Sequence, residues 1–311
     1  MQPQNPMAHI FLLILLFSSI ITTNIHACKQ LERTSLLSFT LTLSSPTLNW
    51  TLVNCCHWKG ITCNEDGWVT HLLLPSKGLK GGMFPSSLGN LTHLNLSNNS
   101  LYGSLEPRFF KSLNRLQILD LSYNLLSGEL PLYLGSNNYI RKLDFSSNRF
   151  HGAIPSSFFQ QARNLTSFNV NNNNFSGPIP SSICRKHSSP LTRLLDVFRA
   201  GHNNLSGFLP VDIYNATKLE ELALPLNSIY GPISDRIVNL TNLAILDLSI
   251  NQLSGVLPHN IGKLSKLKLL TLGYNHLEGA LPPSLMNCTN LIEIHLGANN
   301  LEGDIKCVLQ T

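Results

Sequence analysis

Residues 246–255 read LDLSINQLSG, and residues 119–128 read LDLSYNLLSG. The same text returns as LNLSNNSLYG at 94–103, LDFSSNRFHG at 143–152, FNVNNNNFSG at 168–177 and FRAGHNNLSG at 198–207. It returns again as LALPLNSIYG at 222–231, LTLGYNHLEG at 270–279 and IHLGANNLEG at 294–303. A degenerate unit, LLLPSKGLKG at 72–81, comes first. Nine asparagines mark the register: Asn99, Asn124, Asn148, Asn173, Asn203, Asn227, Asn251, Asn275 and Asn299, with Lys77 in the slot of the first unit. A glycine follows every register position by four residues, from Gly81 to Gly303. Self-similarity at a fixed period overrides local propensity, so it decides the fold.

Each part of the unit has a physical task. The two outer hydrophobic residues of the L-x-L text point inward along a short strand, and the residue between them points out. The asparagine side chain bonds backbone groups at the bend that would otherwise be buried unpaired. The glycine takes a conformation that a Cβ would penalise, and the proline that often follows starts the return segment and ends strand pairing. One unit cannot bury its own leucines, so neighbours stack into a solenoid. The expected fold is an α/β repeat: a curved parallel sheet of ten strands, about 45 Å along its arc at a strand spacing of about 4.8 Å. Its concave face is the expected binding surface.

Composition agrees. Hydrophobic residues make up 43% of the 311 and charged ones only 13%, which excludes a disordered chain. Aromatics are 8%, which predicts a core built mainly of Leu and Ile. The net charge is +5, but the basic residues are scattered, so no nucleic-acid face is expected. The length leaves no room for a kinase-sized domain beside the repeats.

Register positions are separated by 22, 25, 24, 25, 30, 24, 24, 24 and 24 residues. The long step, from Asn173 to Asn203, contains CRKHSSPLTRLLDVFRAG. Leu191, Leu194 and Leu195 read as the start of one strand and Phe198 as the start of another, a collapsed junction of two repeats. The competing reading is a six-residue surface insertion.

The ends differ from the repeats. Residues 1–27 read as a signal peptide: Ile10 to Ile21 is apolar apart from Ser18 and Ser19, and Ala27 suits a signal peptidase. Met1 to His9 carries no Lys or Arg, which leaves an uncleaved anchor as the alternative. No later stretch approaches a membrane span. Residues 28–67 form an N-terminal cap, with Leu31, Leu36, Leu37 and Phe39 on a short amphipathic helix. Cys28, Cys55, Cys56 and Cys63 allow three connectivities, and the helix-to-strand layout favours Cys28–Cys55 with Cys56–Cys63 over a zinc site. The repeats occupy 68–305. The tail 306–311 fits no repeat, and the edge at Ile294, Leu296 and Leu301 is expected to lie uncovered. Cys184, Cys288 and Cys307 include at least one odd thiol, which predicts disulfide-linked self-association.

The residues carry a resemblance. The text SLLSF, NW and CCHWKGITC resembles the N-terminal cap of plant leucine-rich repeat proteins, and the 24-residue LSGxIP unit is similar to their plant-specific repeat. LPSKGL at 74–79, FSGPIPSSICR at 175–185 and IYNATKLEELALPLNS at 213–228 resemble the tyrosine-sulfated glycopeptide receptor group of receptor-like kinases. The resemblance implies a peptide-sensing ectodomain, here truncated, without the membrane helix and kinase of that group. It implies a secreted peptide or cell-wall protein as ligand, a co-receptor as a further partner, and an apoplastic or plasma-membrane location. The alternatives are a secreted inhibitor resembling polygalacturonase-inhibiting proteins, whose cysteine-paired C-terminal cap has no counterpart here, and a nonfunctional fragment of a receptor gene.

Residues placed to face a ligand are Lys142, Arg199, His202, Tyr274 and His295, the cations among them suiting an acidic or sulfated peptide. Asp120 and Asp144 fall on adjacent strands, yet LDLS is simply repeat text, and no metal, phosphate or nucleophile motif is present, so neither an enzyme nor a cofactor is expected. Ten N-x-[ST] sequons occur. Asn90, Asn164, Asn215, Asn239 and Asn287, just ahead of the core strands, and Asn49 in the cap are the expected glycosylation sites, whereas a glycan at Asn95 or Asn98 would block the concave face.

Overall fold

The structure is a computed structural model and describes residues 27–44, 48–82, 87–131, 137–184 and 195–303. Ten parallel strands form the concave sheet: Val69–Leu73, His93–Asn95, Ile118–Asp120, Lys142–Asp144, Ser167–Asn169, Val197–Arg199, Glu221–Ala223, Ile245–Asp247, Leu269–Thr271 and Glu293–His295. Ile61–Cys63 joins the N-terminal edge antiparallel to Val69–Leu73. The register is strict: Leu246 pairs with Leu222 on one side and Leu270 on the other. These leucines are fully buried. Each contributes about 1.5–3 kcal/mol by leaving water.

A second sheet of ten short strands runs from Lys80–Gly81 to Asn300–Glu302 along the flank. The sequence reading ended pairing at this point. The left-handed glycines, Gly103 to Gly303, instead let each S-G segment stay extended beside the next. Proline does close these strands, as Pro178 does for Asn174–Pro178. The convex side holds short α-helices at Pro107–Ser112 and Ser156–Gln161, then 3-10 turns from Ser181–Cys184 to Pro283–Asn287.

The register asparagines behave as expected. Asn124 Nδ2 donates to the carbonyls of Leu96, Leu121 and Ser122 at 3.0–3.1 Å, and its Oδ1 accepts from Leu101 N at 3.0 Å. Lys77 cannot do this, and its own N–H is bound by Asn99 Oδ1 of the following rung at 3.0 Å. The residue before each asparagine is also left-handed, from Ser76 to Ala298, with φ between 51° and 57°. That feature was not read from the sequence, because only the glycines signal it. There the chain turns so that Tyr123 N donates to Ser146 O at 2.9 Å and Asn124 N to Ser147 O at 3.1 Å, which extends the ladder past the strand.

The long step is one rung. Ser167–Asn169 pairs directly with Val197–Arg199, so Leu195 starts no strand. It is buried three residues before the core Phe198, as Leu165 is before Phe168 and Leu219 before Leu222. Leu191 and Leu194 lie outside the described residues. The core also departs from Leu and Ile here: Phe145, Phe150, Phe168, Phe175 and Phe198 are fully buried, with Phe168 stacked on Phe198 at 6.1 Å between ring centroids.

In the cap, Cys28–Cys55 and Cys56–Cys63 are paired. The helix spans Gln30–Thr42 and buries Leu36 and Phe39, but Leu31 is exposed. Glu32 takes the inward place instead, 1% exposed, accepting from Val69 N at 2.6 Å while its Oε1 has no partner. Burial pushes its carboxyl above the ordinary range, opposed by the Val69 bond. The signal segment through residue 26 and the tail 306–311 lie outside the described residues.

Two outcomes follow. Asn251 is buried, with Nδ2 bonded to Leu224, Leu248 and Ser249 carbonyls and Oδ1 bonded to Ile229 N. Asn251→Ala leaves buried groups unpaired and destabilises by about 2–4 kcal/mol. Denaturant midpoints and hydrogen exchange at Ile229 measure it, and an unchanged midpoint contradicts the ladder's role. Glu32 has a raised folded pKa, so its contribution is fully present below the ordinary glutamate range and is lost as pH rises through the folded value. The stability difference between wild type and Glu32→Gln therefore falls as pH rises out of the ordinary glutamate range. A pH-independent difference in melting temperature would contradict this.

Candidate functional site

The outward positions of each concave strand are its residues on either side of the buried one. On the first side stand His71, His93, Ile118, Lys142, Ser167, Val197, Glu221, Ile245, Leu269 and Glu293. On the second stand Leu73, Asn95, Asp120, Asp144, Asn169, Arg199, Ala223, Asp247, Thr271 and His295. The left-handed residues add a third column, with Tyr123, Ile250 and Tyr274 61%, 42% and 68% exposed. These three columns set the chemistry of the face.

The expected ligand-facing residues all lie on it, but two of the cations are already engaged. Arg199 binds Glu221 through two parallel bonds, Nε to Oε1 and Nη2 to Oε2, each 2.6 Å. That hydrogen-bonded partner holds the guanidinium's proton affinity above its ordinary value. His295 Nε2 meets Glu293 Oε1 at 2.6 Å. Both carboxylates come from the first column, in which Lys142 is the only residue expected to face a ligand. Their signal was present: strand alternation turns out both neighbours of a buried residue. Lys142 and His202 have no ion pair among the described residues.

Two open depressions border the left-handed column, one toward the concave strands and one toward the flanking sheet. One, about 430 Å³, is lined by Ile250, Thr271, Tyr274 and His295 over the bare backbone of Gly273 and Gly297. The other, about 710 Å³, is lined by Arg149, His151, Asn172, Asn174 and His202. Tyr274 and His295 thus share one depression and His202 lies in the other. Lys142 and Arg199 line neither.

Asp120 and Asp144 are paired in register but serve as brackets. Asp120 Oδ1 accepts Ser122 N and Oγ at 3.0 and 2.7 Å, and Asp144 Oδ1 accepts Ser146 N and Oγ at 2.9 and 2.6 Å. Their Oδ2 atoms accept from Asn95 and Asn169 at 3.2 and 2.9 Å. Asp247 and Ser249 repeat the bracket. This arrangement binds the turn rather than preparing a proton relay.

Among the sequons, Asn49, Asn164, Asn239 and Asn287 are exposed and Asn90 and Asn215 half-buried. Asn215, Asn239 and Asn287 each close a 3-10 turn. Asn95 is committed on both sides of its amide, to Asp120 and Ser97. Cys288 is buried with a free thiol, while Cys307 and the side chain of Cys184 lie outside what the structure describes.

Comparison with known proteins agrees with this fold. A family model described as leucine rich repeat N-terminal domain matches residues 30–64. Leucine rich repeat models match 77–126, 139–160, 164–185, 242–264 and 266–288. The chain is 42% identical over 208 residues to Receptor-like protein 3 of Arabidopsis thaliana, covering 61% of this chain and 27% of that protein. It is similar to the solved ectodomain of the Arabidopsis thaliana receptor kinase GASSHO1/SCHENGEN3 in complex with CASPARIAN STRIP INTEGRITY FACTOR 2. There the identity is 33% and the TM-score 0.78, covering 86% of this chain and 32% of that one. It is also similar to the Arabidopsis HAESA ectodomain in complex with an IDA peptide hormone ligand, at 33% identity and TM-score 0.69, covering 88% and 50%. The chain spans about a quarter of the length of the curated relatives it matches.

The Arg199–Glu221 pair yields a quantitative expectation. Arg199 is 42% exposed at its side chain, so solvent screens the pair. A double-mutant cycle with Arg199→Ala and Glu221→Ala gives a coupling of about 0.5–1 kcal/mol that shrinks with added salt. A coupling of zero at low salt would show that the two side chains do not meet in solution.

Proposed function

We propose that this leucine-rich repeat chain is an extracellular ligand-recognition module, and that a short secreted peptide lies extended along its concave columns. The observation that carries the reading is the left-handed column from the half-buried Leu226 to the exposed Ile250 and Tyr274, in strained backbone beside a bare-backbone floor at Gly273 and Gly297. Such a strip accepts an extended chain whose alternate side chains fill successive depressions. The similar ectodomains crystallised with their ligands support the same reading.

Charge refines the ligand. The strand-borne outward positions carry five carboxylates, Asp120, Asp144, Glu221, Asp247 and Glu293, against two permanent cations, Lys142 and Arg199. Electrostatic complementarity therefore favours a neutral or basic peptide over a sulfated one. This differs from what likeness to the sulfated-peptide receptor group implies. A cell-wall protein as ligand, and a co-receptor closing over the bound peptide, remain part of the proposal. The signal segment, the paired cap cysteines and the ten sequons support secretion into an oxidising compartment, either as a free apoplastic protein or held at the plasma membrane. No helix among the described residues is long and apolar enough to cross a membrane.

The test uses the protein purified from a plant secretory host. Peptide-N-glycosidase treatment lowers its mass by several glycans. Surface-immobilised protein is then offered basic, neutral and tyrosine-sulfated synthetic peptides. Binding by a basic or neutral peptide, weakened at least tenfold (about 1.4 kcal/mol) by Tyr274→Ala, is the expected result. Preference for sulfated peptides overturns the charge argument. Absence of binding by any class, or indifference to Tyr274→Ala and Ile250→Ala, overturns the site.

A further inference from the structure

The larger depression, toward the flanking sheet, has a chemistry of its own. Arg149 and His151 stand two apart on the strand Arg149–Ala153, on either side of the buried Phe150, so both turn outward. Asn174 is the register partner of His151 on the next strand of that sheet. His202 and Asn172 come from the left-handed column, at φ of 51° and 57°. Asn204, the first residue of Asn204–Gly207, completes the rim. All six residues are exposed. The side chains of Arg149, His151, His202, Asn174 and Asn204 have no ion pair or hydrogen bond among the described residues, whereas Arg199 on the concave strands is held by Glu221. No carboxylate among the described residues lines the depression. Glu129 lies against Gly152 on the adjoining flank, outside the lining, and the five outward carboxylates stand on the concave strands.

We propose that this depression binds an acidic oligosaccharide, a short run of sugars that carry carboxylates. Its volume of about 710 Å³ lies within the range of small-ligand sites, about 300–1,000 Å³. Arg149 supplies a permanent charge and takes a carboxylate through two parallel bonds. Each imidazole adds at least one N–H, and no carboxylate opposes them. The amides of Asn172, Asn174 and Asn204 offer both donors and an acceptor, which suits hydroxyls, since a hydroxyl both gives and takes a hydrogen bond. Leu226 is the one apolar side chain in the lining. An aromatic ring, such as that of a sulfated tyrosine, therefore finds no wall to pack on, whereas a sugar is held by its hydroxyls. The register asparagines Asn148, Asn173 and Asn203 form a fixed floor, each bonded to backbone carbonyls. The site goes beyond the peptide strip and does not rest on it, for the two share only Leu226.

Asn174 and Asn204 each open a sequon, and a glycan on either would cover the rim. The secreted chain is therefore tested with Ser176→Ala and Ser206→Ala, which remove those sequons and keep both amides. Calorimetry without divalent cations offers it short oligomers of galacturonic acid, the same oligomers methyl-esterified, and a tyrosine-sulfated peptide. The free acid binds, and the ester, which keeps the hydroxyls but loses the charge, binds roughly tenfold more weakly. Arg149→Gln weakens the acid by roughly tenfold and leaves the ester unchanged, with circular dichroism as before. Asn174→Ala weakens acid and ester alike, which separates the hydroxyl contacts from the charge. Lys263→Gln, on a convex turn, changes nothing. Should Arg149→Gln fail to fold, His202→Gln carries the test of charge. The proposal is overturned if acid and ester bind equally, if the sulfated peptide outbinds the acid oligomer at this site, or if Lys263→Gln costs as much as Arg149→Gln.

Discussion

One amide group per turn of the solenoid holds the rest in place. After the first, each concave strand is only three residues long, so the backbone must leave the sheet while still inside the molecule. At that point it exposes carbonyls and an N–H to an apolar interior, where each unpaired group costs about 1–3 kcal/mol. Asn275, with Nδ2 shared among Leu248, Leu272 and Gly273 carbonyls and Oδ1 on Leu253 N, satisfies its own turn and the preceding one together. The bond network therefore runs across rungs rather than within them. Neighbour coupling of this kind makes a repeat array cohere although no single repeat can fold alone.

The same geometry explains how a near-uniform interior supports a varied exterior. The leucines and phenylalanines of the core touch only the rungs before and after, so Phe145, Phe168 and Phe198 replace leucine wherever the adjoining rungs supply matching volume. Outward positions carry no such obligation. They are free to hold the Arg199–Glu221 pair or the Ile250–Tyr274 strip without disturbing the asparagine network. Where an outward residue is bound to the frame, as Asp144 is to Ser146, the repeat text shows it as LDFS or LDLS.

How much of this was legible from sequence depends on whether a feature repeats. The concave sheet and the asparagine ladder were legible because period and spacing define them, and the cap disulfides because the helix-to-strand layout favours one of three connectivities. The second sheet was not, because its strands carry no alternation of their own and are held by backbone bonds beside glycine. Leu195 misled because a buried leucine ahead of a strand and one inside a strand look alike until pairing is known. Leu31 and Glu32 exchanged roles in the cap helix because the helix turns a polar residue inward to bond Val69, a tertiary demand that amphipathic patterning does not encode. At the candidate site the columns were legible. The Arg199–Glu221 pair was not, because it crosses rungs and needs the register of two strands, while the Glu293–His295 pair lies within one strand and needs only both outward neighbours of Ile294 to be read.

The left-handed residue before each register asparagine carries a thermodynamic implication for the whole exposed edge. Glycine and asparagine adopt that backbone easily, whereas Tyr274 and above all the β-branched Ile250 hold it at a standing penalty on the order of 1 kcal/mol each. The molecule would thus be sturdier with a monotonous edge of asparagine, as it has at Asn98 and Asn172. Bulky apolar groups at these places mark where conformational ease has been given up for surface chemistry, so a map of unfavourable φ angles doubles as a map of the residues whose identity is set by something outside the fold.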